Sequence, residues 1–299
     1  MRALPTLLIA SILALGAAAP APAQAQAQKD PGKIAVVAAQ NFYGDIARRI
    51  GGERVNVISI MSNPDQDPHL FEATPSQVRD VAGAQIVIHN GGHYDEWMEK
   101  LLKAAPRPKR VVISAAKIVN AKHGGNPHLW YAPATMPAVA KSIAAAFSQA
   151  DSAHAAEYTQ RLGETLADLD LVSKRVAEIR ARHAGKPVAA TEPVFGLMAD
   201  ALGLTMRNQS FQRALMNETE PSARDIAAFE SDLKTGKVKA LIYNKQVSEK
   251  LADRLLTIAR AAKVPVVAVT ETQPAGVAFH DWMLGELDAL DKALTEPNS

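Results

Sequence analysis

A short sequence motif occurs twice in this sequence, and each copy contains a histidine. Residues 67–71 are Asp-Pro-His-Leu-Phe, and residues 126–130 are Asn-Pro-His-Leu-Trp. Proline fixes φ just before each imidazole, and the aromatic ring two residues later is placed to shield one side of a bound group. Histidine is also the commonest metal ligand in proteins. The repeated context therefore favours His69 and His128 as metal ligands over ordinary loop histidines.

Two glutamates directly follow predicted strands in the second half of the sequence. Glu192 comes after a strand predicted at 188–191, and Glu271 comes after one predicted at 264–269. Ligands in open α/β sheets bind beyond the carboxyl ends of the strands, and both histidines of the repeat also lie in loops after predicted strands. The alternatives are that Glu192 is an N-cap before a helix near 195 and that Glu271 is a solvated turn residue.

Two imidazoles and two carboxylates form a mixed nitrogen and oxygen ligand set whose charge neutralises a divalent cation. Such a set suits Zn²⁺, Mn²⁺ or Fe²⁺ and disfavours Cu(I), which prefers sulfur. Two-oxygen binding by both carboxylates would move the site from tetrahedral zinc towards manganese. We therefore expect one divalent ion as a transported ligand, Zn²⁺ or Mn²⁺ with Fe²⁺ as a third candidate. The predicted ligands are His69, His128, Glu192 and Glu271.

The other histidines form no strong catalytic or metal-binding motif. His89 and His93 have the spacing of a helical zinc pair, but the two glycines between them oppose a helix, and no His-Glu-x-x-His motif occurs. His123 lies in the loop before His128, where it is either a loose metal contact or an exposed side chain. The remaining ones, expected at helix surfaces or helix ends, are His154, His183 and His280.

The first 27 residues have the features of a signal peptide. Arg2 supplies the positive start, residues 7–19 form a short apolar core, and small residues at 23–25 and 25–27 offer cleavage sites. No later segment approaches the roughly 20 apolar residues that a transmembrane helix requires. We therefore expect export to the periplasm.

The composition narrows the function further. The sequence has no cysteine, which excludes disulfides, thiolate metal sites and lipid attachment to a cysteine, so we expect a free periplasmic protein and not a lipoprotein. Lys+Arg number 33 against 31 for Asp+Glu, and no basic run is interleaved with aromatic residues. Nucleic acid is therefore not an expected partner.

Apolar runs typical of strands alternate with amphipathic helical stretches, which implies parallel sheets flanked by helices. Thr74 and Pro75 predict the N-cap and first residue of one helix. Strands are predicted at 34–38, 55–60, 86–89, 111–113, 188–191, 240–243 and 264–269. Helices are predicted at 42–50, 76–81, 94–104 and 136–149, and near 195–202, 222–235, 248–263 and 281–294.

One stretch, 151–184, interrupts this alternation. Its apolar residues recur at steps of three and four, and no proline follows until Pro187. The pattern predicts one helix of about 45–50 Å that joins two lobes, with a coiled-coil dimer as the alternative. We therefore predict an α/β fold of two parallel-sheet lobes joined by one long rigid helix. The expected parts are a signal peptide at 1–27, an N-terminal lobe at 28–150, the linker helix at 151–184 and a C-terminal lobe at 185–299.

Several segments resemble the metal-binding solute-binding proteins of bacterial zinc and manganese ABC transporters, the group with ZnuA-like, PsaA-like and TroA-like members. The resemblance implies two lobes linked by a rigid helix, with the metal in the cleft and two ligands from each lobe. It covers nearly the whole mature chain. The segments that carry it are 41–47, 67–69, 74–76, 90–97, 126–130, the long helix and 191–196.

By motif match, the two histidines of the repeat take the histidine positions of the first lobe. Glu192 falls where zinc-type members commonly have histidine and manganese-type members glutamate, and Glu271 falls where aspartate is usual. The loop before His128 holds only His123, whereas many zinc-type members are histidine-rich there. These departures weaken a zinc assignment without removing it, because His, Glu and Asp all bind Zn²⁺.

The resemblance implies a monomeric receptor, not an enzyme, that delivers its metal to an ABC transporter membrane permease. One alternative is a periplasmic binding protein for a metal chelate or an organic solute. A metal-dependent hydrolase is less favoured, because the sequence offers no obvious general base beyond the ligands themselves. An adhesin is a further alternative, for which two α/β lobes around a polar cleft would be unusual.

Overall fold

The computed structural model describes residues 32–63, 71–217, 219–246 and 250–295. The predicted signal peptide and His69 lie outside the described residues. Within them, eight strands form two four-stranded sheets, and every pair of neighbouring strands is parallel. This arrangement confirms the predicted α/β class.

The first sheet has the strand order β2-β1-β3-β4. Its two inner strands, β1 and β3, are almost continuously buried, as expected for a sheet covered by helices on both faces. The strands are β1 (Ile34–Gln40), β2 (Val55–Met61), β3 (Ile86–His89) and β4 (Val111–Ser114). The helices are α1 (Asn41–Gly51), α2 (Pro75–Gly83), α3 (Glu96–Ala104), α4 (Ala115–Ile118) and α5 (Thr135–Ala150).

The second sheet has the order β6-β5-β7-β8, which repeats the relative strand order of the first. In each sheet the first and third strands are therefore neighbours at the centre. The strands are β5 (Pro187–Ala190), β6 (Thr205–Met206), β7 (Leu241–Asn244) and β8 (Val266–Val269). The helices that follow the long helix are α7 (Gly196–Ala201), α8 (Gln209–Met216), α9 (Ala223–Lys234), α10 (Lys250–Ala261) and α11 (Phe279–Thr295).

The long helix, α6, is Ala155–His183. Its 29 residues extend about 43 Å, and it packs against α1, α5 and α11. It begins four residues later than predicted because a 3₁₀ turn, Ser152–His154, precedes it. One apolar core includes Val36 of the first sheet, Val176 of α6 and Val188 of the second sheet. The two sheets therefore share a continuous core along α6.

Hydrogen bonds also tie the start of α1 to the segment between β8 and α11. Asn41 Nδ2 donates to the Gln273 carbonyl at 2.7 Å, and the Gln273 N–H donates to Asn41 Oδ1 at 3.2 Å. The Phe279 N–H donates to Asp45 Oδ2 at 3.0 Å. These bonds join residues more than two hundred positions apart and hold the two sheets in one relative orientation.

Most predicted elements are present with small shifts of their ends. The Thr74–Pro75 helix start is confirmed: the Gln77 N–H donates to Thr74 Oγ1 at 3.4 Å, and Gln77 Oε1 accepts from the Thr74 N–H. Helix α3 begins at Glu96 and not at Tyr94, because the Asp95 carboxylate accepts hydrogen bonds from the backbone before the helix. Strand β6 and helices α4 and α8 are absent from the prediction. Every helix in the described part of the chain is too short or too polar to cross a membrane.

An ion-pair network around the buried Asp291 carboxylate fixes the end of α6 to α11. Asp291 accepts from His183 Nε2 at 2.7 Å, Arg182 at 2.8 Å and Arg175 at 2.9 Å. Burial alone would raise the pKa of Asp291, but these three hydrogen bonds outweigh it and hold the pKa below its ordinary value. His183, predicted as a surface or helix-end group, is the last residue of α6 and is buried.

We expect Asp291→Asn to lower the free energy of unfolding at neutral pH by about 2 kcal/mol, because charge-assisted hydrogen bonds are lost. A lowered carboxyl pKa stabilises the fold above the unfolded-state pKa, so this contribution should disappear as the pH falls through the folded-state pKa. Urea unfolding at neutral and acidic pH measures both effects. Asp288→Asn is the control, since its exposed carboxylate contacts Arg175 alone in this network. Equal stabilities of the two variants would contradict the prediction.

Candidate metal centre

Three of the four predicted ligands lie in the described residues, each after the carboxyl end of a strand. His128 lies in the segment between α4 and α5, at the start of a 3₁₀ turn, Leu129–Tyr131. Glu192 follows β5, and Glu271 follows β8. His69, the fourth, lies outside the described residues.

Asn126 fixes the orientation and tautomer of the His128 ring. The Asn126 amide nitrogen donates to the Pro193 carbonyl at 2.6 Å, so its Oδ1 is left to accept. Oδ1 lies 2.7 Å from His128 Nδ1 and also accepts from the His128 N–H. Nδ1 therefore carries a hydrogen, and in the neutral ring Nε2 presents a lone pair. A backbone or carboxamide partner on the second ring nitrogen is the usual arrangement around a metal-binding histidine.

A glycine makes this contact between the lobes feasible. A Cβ atom on Gly196 would lie 2.8 Å from Asn126 Nδ2, closer than nonbonded atoms approach. The position at the start of α7 therefore requires glycine if Asn126 is to reach the Pro193 carbonyl.

The lone pair of His128 faces a carboxylate from the other lobe. His128 Nε2 lies 3.3 Å from Glu271 Oε2, and the two side chains are 4% and 0% exposed. Among the residues that the structure describes, Nε2 has no hydrogen-bond partner. Bonds of about 2.0–2.2 Å to one tetrahedral cation place two ligand atoms about 3.3–3.5 Å apart, which matches this separation. The two atoms therefore have the spacing of two ligands of one cation.

Glu271 is buried and held from both sides. Tyr94 OH donates to its Oε2 at 3.0 Å, and Asn244 Nδ2 donates to its Oε1 at 2.7 Å. Burial, and then the negative charge of Glu271, raise the pKa of Tyr94 well above its ordinary value, so the phenol keeps its proton and donates. The whole Glu271 residue is 1% exposed. The alternative of a solvated turn residue is therefore wrong.

Glu192 occupies an N-cap position but does not cap with its side chain. It precedes a 3₁₀ turn, Pro193–Phe195, and makes no side-chain cap hydrogen bond. Its Oε2 accepts from Asn244 Nδ2 at 3.0 Å, the same nitrogen that contacts Glu271. One amide thus brings the two predicted carboxylate ligands of the second lobe together.

Aromatic rings surround the His128 imidazole, as the repeat predicts. Trp130, 1% exposed, lies edge-on at 5.4 Å between ring centroids, and Tyr94 lies at 5.6 Å. The aromatic residue of the first copy, Phe71, packs on Trp97 at 4.4 Å. The shielding predicted for the second histidine is therefore present.

Among the residues that the structure describes, no group of three or more His, Asp or Glu side chains is arranged as a complete metal-binding cluster. His93 and His123 lie edge to face at 4.9 Å, and His93 Nδ1 contacts Glu96 at 2.9 Å. His89 is buried, with Nδ1 3.3 Å from Asp95. These contacts of the three histidines all lie within the first lobe. The four-ligand set stays a prediction, because His69 lies outside the described residues.

Sequence reasoning missed the polar residues that hold the candidate ligands, above all Asn244 and Tyr94. Asn244 directly follows the predicted strand at 240–243, the kind of position that also singles out Glu192 and Glu271. It is an amide, however, and the predicted ligands are carboxylates and imidazoles. Tyr94 carries no local signal, since its partner lies 177 residues away in the other lobe.

Two parallel sheets joined by one long helix form the fold of periplasmic metal-binding proteins, and comparison with known proteins agrees. The family model described as zinc-uptake complex component A, periplasmic (ZnuA), matches residues 36–293. The chain therefore belongs to the ZnuA family, a family of ABC-importer substrate-binding proteins and not of enzymes, which confirms the resemblance.

Individual relatives are distant but similar over most of their length. The manganese-binding lipoprotein MntA of Bacillus subtilis (strain 168) is 25% identical over 229 residues, 73% of each chain. The high-affinity zinc uptake system protein ZnuA of the same strain is 24% identical over 251 residues, 76% of this chain and 77% of the relative. The periplasmic zinc-binding protein TroA of Treponema pallidum shares the fold, with a TM-score of 0.75 and 20% identity over 89% of this chain and all of that chain.

Proposed function

We propose that this protein captures a divalent transition metal between its lobes and delivers it to the membrane permease of an ABC importer. The observation that supports it best is the 3.3 Å approach of His128 Nε2 to Glu271 Oε2 in a buried cleft. An imidazole lone pair and a carboxylate oxygen at this distance repel each other unless a cation lies between them, and both are common ligands of divalent metals. The metal is cargo, so no bond of a substrate is made or broken.

We propose one ion per chain, bound by His69, His128, Glu192 and Glu271. Two ligands would come from each lobe, and the carboxylates would offset the charge of the ion. The relatives include one protein named for manganese and another named for zinc, and Glu192 is the manganese-type residue of the resemblance. Zn²⁺ and Mn²⁺ are therefore both proposed cargoes, with Fe²⁺ third.

We propose that the protein works as a monomer, free in the periplasm, with the permease as its partner. The relative MntA is named a lipoprotein, whereas this sequence has no cysteine to carry a lipid. The family description includes a periplasmic location. Cell fractionation with and without membrane washing would test the free state, and membrane-bound protein would contradict it.

Metal content provides the direct test. We expect calorimetric titration of metal-free protein to give one tightly bound Zn²⁺ or Mn²⁺ per chain, and protein purified without chelators to contain the same ion by elemental analysis. Affinity for neither ion would overturn the proposal and favour an organic solute or a chelate. Metal-dependent hydrolytic turnover would overturn it in favour of a hydrolase.

A further inference from the structure

The strand order of the second sheet places an amide between two carboxylates. Asn244 is the last residue of β7, and β7 lies between β5 and β8. Parallel strands end at the same edge of a sheet, so Asn244 lies between Glu192, which follows β5, and Glu271, which follows β8. The Asn244 residue is 3% exposed. It is therefore a buried polar side chain at the centre of the carboxylate cluster.

The hydrogen bonds of Asn244 fix which way its amide points. Nδ2 donates to Glu192 Oε2 at 3.0 Å and to Glu271 Oε1 at 2.7 Å, which uses both of its N–H groups. Oδ1 accepts from the Gln246 N–H at 3.0 Å. A flipped amide would place its oxygen against two carboxylate oxygens and its nitrogen against an N–H. The observed orientation is thus the one in which every contact pairs a donor with an acceptor.

This contact gives the two oxygens of Glu271 different roles. Oε1 is held by Asn244, while Oε2 accepts from Tyr94 OH and faces His128 Nε2. Gln246 Oε1 also accepts from the Glu271 N–H, which holds the backbone of the same residue. The shorter hydrogen bond, 2.7 Å from Asn244, is on Oε1, whereas the longer one, 3.0 Å from Tyr94, is on the oxygen that faces His128 Nε2. Coordination through both oxygens would compete with the bond to Asn244. A single oxygen is therefore directed at the cation position.

We propose that Asn244 is a positioning residue that restricts Glu271 to coordination through one oxygen and so favours zinc over manganese. Zinc is usually bound by four ligand atoms in a tetrahedron. Manganese prefers six ligand atoms, most of them oxygen, and therefore gains more from a carboxylate that coordinates through both oxygens. The inference rests on the proposed function and adds a selectivity device to it. The inferred preference for zinc is opposite to the preference for manganese that Glu192 alone indicates.

Asn244→Ala tests the proposal, with Asn208→Ala as the matched control. Asn208 is also a buried amide of the second lobe, but it bonds the Ala190 backbone and Gln212, not a carboxylate. We expect Asn244→Ala to lower the ratio of Zn²⁺ to Mn²⁺ affinity by about tenfold or more, as for other residues that orient metal ligands. Asn208→Ala should lower thermal stability and leave that ratio unchanged.

The visible absorption of bound Co²⁺ is a second measurement, and it reports the coordination number of the metal and not the stability of the protein. Four-coordinate Co²⁺ absorbs visible light far more strongly than six-coordinate Co²⁺, so we expect strong bands in the native protein and weaker bands in Asn244→Ala. If Asn244→Ala does not fold, Asn244→Ser, which keeps one donor, should shift the ratio and the bands in the same direction.

Two results would overturn the inference alone: a native protein that binds metal but gives a six-coordinate Co²⁺ spectrum, or an Asn244 variant that keeps the native affinity ratio. A native protein that binds neither Zn²⁺ nor Mn²⁺ would overturn the proposed function, and this inference with it. The native titration therefore separates the two failures.

Discussion

Replacing His128 with alanine is expected to weaken Zn²⁺ binding by about 100-fold or more. Zinc sites with four protein ligands bind with about 10–16 kcal/mol, so each ligand accounts for roughly 3 kcal/mol, which corresponds to a factor of about 100 in Kd. The loss of Zn²⁺ affinity should exceed the average share of one ligand, because Glu271 Oε2 then has no nitrogen of His128 facing it. Competition titration with a chromophoric chelator measures the change.

His93→Ala is the matched control for this experiment. His93 is an exposed histidine of the same lobe, and its ring contacts His123 and Glu96. We expect the control to bind one ion with native affinity. If His128→Ala binds every first-row divalent metal as the native protein does, His128 is not a ligand and the proposed centre is wrong. If His93→Ala loses binding instead, the metal lies near His93 and His123 and not at His128.

The regular part of the fold was predictable because each element carries its own local signal. Strand β3 was predicted at its observed bounds, Ile86–His89, since an apolar run lies between turn-forming residues. The periodicity over 158–179 predicted α6 because a helix that buries one face needs apolar residues at steps of three and four. Strand β6 was missed because it has two residues, and two ladder positions leave no pattern to detect.

The order of the strands had no such signal, and the organisation of the site depends on it. Alternating strands and helices predict a parallel sheet but do not tell which strands are neighbours. Glu192 and Glu271 follow β5 and β8, which are not adjacent, and the strand between them contributes Asn244. The chemistry of the ligands could therefore be predicted, whereas the residue that joins them could not be chosen without the sheet order.

The contacts between the lobes could not be predicted from the sequence either. Tyr94, Asn126 and Tyr131 of the first lobe reach backbone or side-chain oxygens of the second. Each such contact depends on the relative orientation of the two lobes, which the shared core along α6 determines. Local patterns report neighbours within a few residues, so they cannot indicate partners this far apart.

A buried carboxyl behind the candidate centre has an unusual protonation state. Glu286 Oε1 accepts from Trp282 Nε1 at 2.8 Å and from the Thr270 N–H at 3.1 Å. Tyr131 OH lies 2.6 Å from the Thr270 carbonyl and 2.8 Å from Glu286 Oε2. A carbonyl can only accept, and the one hydroxyl hydrogen of Tyr131 cannot fully serve both oxygens, so both contacts are satisfied when Glu286 carries a proton of its own. The geometry therefore favours a neutral carboxylic acid.

The titration of Glu286 should make the fold less stable as the pH rises. Burial raises its pKa from the ordinary 4.5 to about 8, although its hydrogen-bonding contacts with Tyr131, Trp282 and the Thr270 N–H, and the charge of Lys245, act in the opposite direction. Between these values the unfolded chain releases a proton that the folded protein keeps. The stabilisation is complete below about pH 4.5 and is lost as the pH rises towards about 8.

Glu286→Gln is therefore expected to stabilise the metal-free protein at pH 8 by on the order of 3 kcal/mol and to have little effect near pH 4.5. The glutamine amide donates to Tyr131 and its oxygen accepts from Trp282 and Thr270, as the neutral acid does, but it cannot ionise. Urea unfolding across this pH range measures the difference, and Glu164→Gln, an exposed carboxyl on α6, is the control that should follow the native curve. Parallel curves for Glu286→Gln and the native protein would show that Glu286 is ionised in the fold, and that Tyr131 donates to it and not to Thr270.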